Sequence, residues 1–360
     1  MKLALAATIA LLTLKSARAQ SIPLENQVVH YIASVGIGSP PTEYKLIVDT
    51  GSSNTWIGAN TAYVPTSSSQ QTPDSFSVSS SSDHASGTEY IDTVSLGDGL
   101  VVQGQSIGVA SSSDGFKSGV DGVLGLGPVD LTLGTLSPDT SATVPTVLDN
   151  LFNQGTIPAH SYGVSFEPTT SSSEVNGEIT FGGVDSSKFT GSITYVPITG
   201  TSPASNYWGI DATFTYGSSG KTILSPTAGI VDSGTTRLLL ASDAFKEFQS
   251  ATGATIDATT NLLTLTSSQY ANMESLFVHI GATTFELTPN ALIWPRSLNS
   301  EIGGSPGSIY LIVGDHGQPS GQGLDFILGY KVMERLYTVF DAGNQRVGFA
   351  TTPFTDATTN

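Results

Sequence analysis

One short pattern occurs twice in this chain and constrains its fold more than any other feature: an apolar segment that runs directly into an acidic turn. Residues 46–53 read LIVDTGSS and residues 229–236 read GIVDSGTT, so Asp49 and Asp232 occupy the same place in each copy. The two copies lie about half a chain length apart. An internal repeat at this distance predicts two related lobes that face each other across a cleft.

A second pattern follows each copy further along the chain. It is an apolar pair that ends in glycine, Val123-Leu124-Gly125 in the first half and Ile327-Leu328-Gly329 in the second. A single Asp-Thr-Gly segment would be interpreted as an ordinary turn, for which these residues are well suited. The recurrence of both patterns in the same order favours a duplicated architecture instead.

The rest of the chain has the sequence pattern of a β protein. Short apolar, β-branched runs alternate with Gly, Pro, Asn and Ser, and helical patterns are few. Strands are predicted at Val28–Ile37, Tyr44–Val48, Tyr90–Leu96, Glu178–Phe181, Ile193–Pro197, Ile230–Asp232 and Thr338–Phe340. Helices are predicted at Val144–Asn153, at Ser242–Phe248 with Ser242 and Asp243 as the N-cap, and at Ser267–Leu276. The sequence therefore predicts a fold that is mainly β.

Facing acidic turns would bring two carboxyl groups into contact, and like-charge repulsion then prevents both from ionising. One group would take a proton from water while the other donates a proton to a substrate carbonyl, without a covalent intermediate. The titration belongs to the pair, so acid and base are not assigned to individual residues. The predicted catalytic residues are Asp49 and Asp232. The residues predicted to let the turns approach, or to hydrogen-bond the carboxylates and the opposite loop, are Thr50, Gly51, Ser52, Ser233, Gly234 and Thr235.

Other hydrolase chemistries fit the sequence less well. Residues 303–307 match the G-x-S-x-G pattern of serine hydrolases, but a strand pattern follows where that site needs a helix. The five histidines are scattered and lack the H-E-x-x-H spacing of zinc proteases. Glycosidases also use two carboxyl groups, but these are usually farther apart and not on twin turns. Neither a metal site nor a cofactor is predicted.

Charge and cysteine content exclude further classes of function. The chain has 13 Lys and Arg against 30 Asp and Glu, a formal net charge of −17, which argues against nucleic acid or an anionic membrane surface as a partner. The acidic balance fits either a working environment below neutral pH or simple solubility, and composition does not separate the two. Without cysteine, the chain has no disulfides, thiol chemistry or cysteine zinc sites.

The first 19 residues have the pattern of a secretory signal peptide. Lys2 is followed by an apolar run over residues 3–14 and then by Ala17-Arg18-Ala19, which is an A-x-A cleavage pattern. The apolar run is too short to span a bilayer. The sequence therefore predicts cleavage near Ala19 and a secreted, extracellular product.

The ordered motifs resemble those of the pepsin-like aspartic proteases, in particular the secreted basidiomycete enzymes of the polyporopepsin type. The matching segments cover nearly the whole chain after the signal peptide: residues 31–56, 121–127, 181–185, 195–197, 207–208, 232–235 and 337–350. The resemblance implies an all-β (mainly) bilobal fold with a few short helices and a central substrate cleft. It divides the chain into a signal peptide over 1–19, an N-terminal lobe over 20–195 that carries Asp49, and a C-terminal lobe over 196–360 that carries Asp232.

The resemblance also implies a function, that of a secreted, monomeric endopeptidase that cleaves proteins or peptides at acidic pH and is sensitive to pepstatin-type inhibitors. Asp49 and Asp232 fall on the family's catalytic positions, where two carboxyl groups share a proton. Thr50 and Ser233 fall on residues that grip the opposite loop, and Trp56 on the tryptophan that partners a flap tyrosine. The cleft positions that it implies are Ile47, Trp56, Ser80, Ser81, Phe116 and Val120. For Ile47, Phe116 and Val120, ordinary core packing is an equal alternative.

Three positions depart from the family pattern. Ser80 and Ser81 stand where the family's flap has Tyr-Gly, which leaves open the alternative of a catalytically weak or inactive pepsin-fold binding protein. Only residues 20–27 separate the predicted cleavage site from the first predicted strand, whereas family zymogens usually carry a longer basic prosegment there. Tyr330 stands where an Asp often follows the Ile-Leu-Gly segment.

Overall fold

The computed structural model describes residues 17–80, 83–97, 99–116 and 119–360, and residues 1–16 of the predicted signal peptide lie outside them. The strands of the first half are β1 (Gln20–Asn26), β2 (Tyr31–Ile37), β3 (Thr42–Asp49), β4 (Trp56–Ile57), β5 (Gln70–Ser79), β6 (His84–Ser95), β7 (Val101–Asp114), β8 (Gly122–Gly125), β9 (Leu136–Ser137), β10 (Ser161–Ser165), β11 (Glu174–Phe181) and β12 (Thr190–Pro197). Those of the second half are β13 (Gly209–Tyr216), β14 (Lys221–Asp232), β15 (Leu238–Leu240), β16 (Thr255–Ile256), β17 (Leu263–Leu265), β18 (Leu276–Ile280), β19 (Thr283–Leu287), β20 (Ile309–Tyr310), β21 (Val313–Asp315), β22 (Phe326–Gly329), β23 (Leu336–Asp341) and β24 (Arg346–Thr351).

The helices are short. They are α1 (Val147–Asn153), α2 (Ser242–Thr252), α3 (Ser267–Ala271) and α4 (Tyr330–Met333), with 3₁₀ turns at Val129–Thr132, Ala204–Asn206 and Arg296–Ile302. The expectation of a mainly β fold with few short helices is therefore confirmed.

The described strands form three sheets. A 14-stranded sheet has the order β12-β24-β23-β10-β11-β1-β2-β3-β8-β4-β7-β6-β5-β9. A seven-stranded sheet has the order β19-β18-β13-β14-β22-β15-β21, and a three-stranded sheet has the order β16-β17-β20. The last two strands, β23 and β24, join the first sheet through β10 and β12. The end of the chain is thus paired with strands of the first half.

Most predicted strands lie inside longer observed ones, but the start of the chain differs. The strand predicted over Val28–Ile37 begins only at Tyr31. Gln20–Asn26, expected to precede the first strand, is itself a strand and pairs with β11. Val28 has a φ of 72°, which lies in the left-handed region that turns favour. The chain therefore turns between β1 and β2 where the apolar pattern suggested one continuous strand.

The first helix shows how local chemistry sets a boundary. α1 begins at Val147 because Thr146 caps it: the Thr146 hydroxyl accepts a hydrogen bond from the Asp149 backbone N–H over 3.2 Å. The Asp149 carboxylate in turn accepts one from the Thr146 N–H over 2.8 Å, which completes a capping box. The predicted start at Val144 was therefore three residues early.

The other two predicted helices differ at their ends. α2 has Ala241 as its N-cap, without a side-chain capping bond, so the assignment of the cap to Ser242 and Asp243 was wrong. The Ser242 hydroxyl instead donates to the Asp315 carboxylate, and the Asp243 carboxylate accepts from the Ser320 hydroxyl. The helix also runs past the predicted end, to Thr252. α3 ends at Ala271 and not at Leu276, because Leu276 begins β18.

Two further expectations concern the chain as a whole. The predicted lobe boundary between residues 195 and 196 falls inside β12, and it stays a prediction. In the described part of the chain, no helix has the length and apolar character needed to cross a membrane.

Candidate active site

The two copies of the acidic pattern form the same local structure. β3 ends at Asp49 and runs parallel to β8, with Asp49 opposite Gly125. β14 ends at Asp232 and runs parallel to β22, with Asp232 opposite Gly329. In each half, the second sequence pattern therefore supplies the strand that lies beside the acid.

The glycines opposite the acids are required by close packing. A Cβ on Gly125 would lie 2.5 Å from the backbone carbon of Ser53, and one on Gly329 would lie 2.2 Å from the Arg237 carbonyl oxygen. Real Cβ atoms do not approach backbone atoms this closely, so the chain that leaves each acidic turn can pack here only against glycine. The apolar-apolar-glycine pattern is explained by this contact.

The two acidic turns meet at Gly51 and Gly234. A Cβ on Gly51 would lie 2.5 Å from Oδ1 of Asp232, and one on Gly234 would lie 2.5 Å from Oδ1 of Asp49 and 3.2 Å from Oδ1 of Asp232. Each carboxyl group thus occupies the space that a side chain on the opposite turn would need. The structure brings Asp49 and Asp232, which are far apart in sequence, to within a few ångströms of each other.

Reciprocal hydrogen bonds join the two turns below the carboxyl groups. The Thr50 N–H donates to the Ser233 hydroxyl oxygen over 3.0 Å, and the Ser233 N–H donates to the Thr50 hydroxyl oxygen over 2.9 Å. The Ser233 hydroxyl donates to the Val48 carbonyl over 2.8 Å, and that of Thr50 donates to the Val231 carbonyl over 3.2 Å. Both hydroxyl residues are buried. Each turn is therefore held by the other and not by its own lobe alone.

Each carboxyl group is also fixed by donors from its own turn. Oδ1 of Asp49 accepts from the Gly51 N–H over 2.8 Å, and its Oδ2 accepts from the Ser52 hydroxyl over 2.5 Å. In the other half, the Gly234 N–H and the Thr235 hydroxyl bind the two oxygens of Asp232 over 2.8 and 2.6 Å. The arrangement is the same in both halves, so the two acids present matching faces to the space between them.

Burial and charge repulsion oppose the ionisation of both carboxyl groups of the pair. Burial, followed by repulsion from the Asp232 carboxylate, raises the pKa of Asp49 from its ordinary value of 3.8 to about 7. A hydrogen bond between the two carboxyl groups raises it further, whereas the donors from Ser52 and Gly51 oppose the increase. The pair therefore retains one proton over the acid range.

Two buried aromatic rings support the Asp49 turn from behind. The Leu126 N–H donates to the Asp49 carbonyl over 2.7 Å. The Leu126 carbonyl in turn accepts from the Tyr162 hydroxyl over 2.7 Å and from the Trp208 ring N–H over 2.9 Å. Trp208 comes from the second half of the chain, so both halves fix the position of this backbone segment. The sequence did not predict this hydrogen bond.

An open pocket of about 620 Å³ is lined by Asp49 and by Gly234 of the opposite turn, whereas Asp232 is not among its lining residues. Asp49, Ser52 and Gly234 contribute to its floor. Among the predicted cleft positions, Ile47, Trp56, Ser80 and Phe116 line the pocket. The wall is largely apolar and aromatic, whereas the floor is polar, which is the usual composition of a site that binds and orients an organic ligand.

Two predicted cleft positions have a different outcome. Val120 is buried in the apolar cluster beneath the wall, where it packs with Ile47 and Trp56, and it is not among the residues that line the pocket. Ser81 lies outside the described residues. On the wall itself, the Trp56 ring meets the Phe116 ring edge-on, with centroids 4.8 Å apart.

The hairpin of β5 and β6 covers one side of the pocket, and its tip carries residues that the sequence did not identify. Ser79, Asp83, His84 and Ala85 line the pocket from this hairpin, and His30 lines it from the turn before β2. His84 thus brings a ring to a tip where the sequence lacks the expected tyrosine. For the four hairpin residues, nearness to Ser80 in sequence was the available indication, because hairpin length cannot be derived from local pattern; for His30 there was none.

Tyr330, the third departure from the family pattern, is buried and does not line the pocket. Its hydroxyl donates to the Val28 carbonyl, and its ring meets Tyr31 edge-on at 5.5 Å. Its backbone N–H donates to the Thr235 carbonyl over 2.8 Å. The side chain therefore ties α4 to the turn between β1 and β2.

The segment that resembles a serine hydrolase motif has no suitable setting. Residues 303–307 follow the 3₁₀ turn that ends at Ile302 and precede β20, the reverse of the strand and helix that such a site requires. Among the described residues, no three His, Cys, Asp or Glu side chains are grouped so as to hold a metal ion.

The chain is similar to known proteins along most of its length. The family model described as eukaryotic aspartyl protease matches residues 30–352. Polyporopepsin from Irpex lacteus is 63% identical over 342 residues, which is 95% of this chain and 100% of that protein. Rhizopuspepsin-1 from Rhizopus niveus is 34% identical over 315 residues, covering 82% of this chain and 76% of that protein.

A solved structure gives the same result for the fold. The crystal structure of the aspartic proteinase from Irpex lacteus matches with a TM-score of 0.93 and 62% sequence identity, over 95% of this chain and 100% of that one. The expected bilobal pepsin-like architecture is thereby confirmed.

Proposed function

The chain belongs to the eukaryotic aspartyl protease family, and from this premise we propose that Asp49 and Asp232 are its catalytic pair and act on internal peptide bonds at acidic pH outside the cell. The chain is an aspartic endopeptidase of the pepsin family, close to polyporopepsin. The assignment of the reaction to these two residues rests on one observation. Each carboxyl group fills the space beside the glycine of the opposite turn, so the two groups lie within a few ångströms of each other.

The mechanism follows from a pair that holds one proton. The ionised carboxyl group takes a proton from a water molecule between the turns, and the resulting hydroxide attacks the peptide carbonyl carbon. The protonated group donates its proton to the carbonyl oxygen as the tetrahedral intermediate forms. Collapse of the intermediate breaks the C–N bond, with the proton delivered to the leaving amine. The donors from Ser52 and Thr235 hold the outer oxygens, so the inner ones face the water.

The wall of the pocket supports a preference for apolar side chains beside the scissile bond. Ile47, Trp56, Phe116 and Val123 present apolar surface there, and none of them carries a charge. Burial of an apolar substrate side chain against them contributes about 25 cal/mol for each Å² removed from water. Proteins and peptides are the proposed substrates, and pepstatin-type inhibitors are expected to bind the same site.

An acidic optimum is proposed because the pair needs one proton. Since the pKa of Asp49 is raised to about 7, the singly protonated pair persists through the acid range and is lost near neutrality. The chain has 30 Asp and Glu residues, so its net negative charge also becomes smaller as the pH decreases.

Secretion is proposed from the leader-like pattern at the start of the chain. Expression with residues 1–19 in a fungal host should give protein in the medium that begins at Gln20. Replacement of Ala17 and Ala19 by large residues should block cleavage, because the A-x-A pattern requires small side chains. Gel filtration of the secreted protein should give the size of a monomer. Retention of the wild-type protein in the cell, or an unprocessed N-terminus, would contradict this part of the proposal.

The test of the catalytic assignment uses denatured haemoglobin as substrate in the range of about pH 3–4. The purified protein should release peptides, and pepstatin should stop the release. Asp232→Asn and Asp49→Asn should each lower the rate by several orders of magnitude without loss of folding. Asp185→Asn, a change of the same kind on the surface, is the matched control. Full activity in either variant of the pair would exclude that residue from catalysis.

A second experiment examines the hairpin tip. Ser80→Tyr restores the aromatic residue that the family carries at this position, and it should raise the rate because a larger side chain excludes water from the pocket. No change in rate would discard the role given to this position while leaving the assignment of the acidic pair intact.

A further inference from the structure

A second concavity, which shares no lining residue with the pocket that contains Asp49, encloses about 450 Å³. It is lined by one cation, Arg237, by the carboxamide of Asn261 and by four apolar residues. These are Phe245, Ile256, Leu263 and Val313. Phe245, Leu263 and Val313 are buried and Ile256 is exposed, so the accessible lining combines polar groups with the apolar side chain of Ile256.

Arg237 is unusual in this setting because its charge has no partner. Among the described residues, no hydrogen bond, ion pair or ring contact involves its guanidinium group. Burial lowers the pKa of Arg237, and no neighbouring charge offsets that effect. A partly buried cation is normally paired, since withdrawal of a charge from water is unfavourable without compensating bonds.

The position of the guanidinium depends on a glycine. A Cβ on Gly314 would lie 2.8 Å from Nη1 of Arg237, so the group lies over the bare backbone of β21. Gly314 belongs to β21, which pairs in parallel with β15, and Leu239 lies opposite Gly314. The fold therefore holds the cation against a strand, inside the concavity and not extended into solvent.

Asp315 is the other charged residue that lines the concavity, and its carboxylate is already engaged. Its Oδ1 accepts from the Ser242 hydroxyl over 2.6 Å and from the Gly317 N–H over 2.7 Å. It forms no ion pair with Arg237. The negative charge of Asp315 lies at the rim and favours ligands with a single negative charge over those with two or more.

The apolar wall has one exposed member. Ile256 is 52% exposed, although most large apolar side chains of this chain are buried. It lies on β16, at the edge of the three-stranded sheet, and faces the same concavity as Arg237. A ligand that reached the guanidinium would cover Ile256 as well.

We propose that this concavity binds a small monocarboxylate with an apolar tail, with the carboxylate on Arg237 and the tail against the exposed side chain of Ile256. The planar guanidinium fork matches a carboxylate with two parallel hydrogen bonds. Removal of the apolar tail from water adds to the affinity. Carboxylic acids of this kind include short fatty acids and the C-terminal residues of peptides cut after an apolar side chain.

The experiment titrates the whole protein with hexanoate and with N-acetyl-leucine, at about pH 5.5, where both carboxylates are ionised. Calorimetry and ligand-detected NMR should show one saturable site, with a Kd of about 1 mM or lower. The amides hexanamide and N-acetyl-leucinamide, which lack the charge, and acetate, which lacks the tail, should bind at least tenfold more weakly. A preference between hexanoate and N-acetyl-leucine distinguishes a fatty acid from a peptide end as the source.

Variants separate the roles of charge and shape. Arg237→Gln should weaken hexanoate binding at least tenfold, and Arg237→Lys should give an intermediate loss because it keeps the charge but not the fork. Gly314→Ala should displace the guanidinium and weaken binding while leaving the charge in place. Arg296→Gln, at an exposed arginine of the same lobe, should bind as the wild type does. Thermal unfolding of each variant verifies that it is folded.

Four results would overturn the proposal. Three of them are the absence of saturable hexanoate binding to the wild type, equal binding of hexanoate and hexanamide, and unchanged affinity in both Arg237→Gln and Gly314→Ala. The fourth is tighter binding of inorganic phosphate than of hexanoate, which would reject the carboxylate. Because none of these measurements uses peptide cleavage, the outcome is independent of the catalytic assignment.

Discussion

The shared proton makes a specific prediction for stability as a function of pH. Asp49 has a pKa of about 7 in the folded chain against an ordinary value of 3.8, so the folded state holds a proton that the unfolded state has released. A group with a raised pKa contributes stability that is complete below its unfolded pKa and is lost as the pH rises through the folded value. Asp49 should therefore destabilise the protein progressively from about pH 4 to pH 7.

The size of the effect follows from the shift. One pKa unit corresponds to about 1.36 kcal/mol, so a rise from 3.8 to about 7 gives at most about 4 kcal/mol. Asp49→Asn replaces the carboxyl group by a neutral amide of the same shape and removes this loss. Between pH 4 and pH 7, the unfolding free energy of the variant should therefore decrease by up to about 4 kcal/mol less than that of the wild type.

The assay is urea unfolding at both pH values, followed by tryptophan fluorescence, with the intact mass measured afterwards to exclude self-digestion. Asp185→Asn is the control, because hydrogen bonds from Ser187 hold the pKa of Asp185 below its ordinary value. Its contribution is already present at pH 4, so this variant should lose as much stability as the wild type. Equal losses in the wild type and in Asp49→Asn would refute the idea that the pair retains a proton.

Three other changes have defined outcomes. Gly51→Ala places a Cβ 2.5 Å from Oδ1 of Asp232 and should lower kcat/KM at least about 100-fold, because a displaced reacting group loses its geometry. Steady-state kinetics on a peptide substrate measure kcat/KM, and a near-normal value would contradict the close approach. Tyr162→Phe removes a buried hydrogen bond of 2.7 Å and should lower the unfolding free energy by about 1–2 kcal/mol, as measured by urea unfolding. Unchanged stability would show that the Leu126 carbonyl is satisfied without the Tyr162 hydroxyl. Burial opposes ionisation of Asp149, but hydrogen bonds, first from His160, hold its pKa below the ordinary value. Asp149→Asn should therefore lower the unfolding free energy by about 1 kcal/mol at pH 6 and leave it unchanged near pH 2. Equal destabilisation at both pH values would contradict the ionic role.

The acidic pair could be predicted from the sequence because its pattern is local and repeated. Asp49 and Asp232 each follow an apolar strand segment and precede a hydroxyl residue and a glycine. All of these features lie in one continuous stretch of sequence. The duplication then required the two turns to be related in space. No single copy would have carried this information, since the same residues form ordinary turns.

The boundaries of several elements could not be predicted because they depend on distant partners or on a single cap. Gln20–Asn26 has no clear alternation, and it forms a strand because β11 offers an edge to pair with. The start of α1 is set by the capping bonds of Thr146, whereas the apolar pattern begins three residues earlier. Hydrophobic periodicity specifies that a helix exists but leaves its ends undetermined.

The walls of the pocket were the least predictable part of the site. Val120 and Phe116 lie close together in sequence, yet one is buried beneath the wall and the other lines it. His30 and His84 line the same pocket from separate elements. Such positions are fixed by how sheets pack and how far hairpins extend, neither of which is encoded in a short motif.

Neutron diffraction from crystals grown at acid pH would locate the proton of the acidic pair. We expect one deuteron shared between the facing carboxyl groups of Asp49 and Asp232, with the donors from Ser52 and Thr235 on their outer oxygens. Two bare carboxylates, or two side chains that face away from each other, would contradict it.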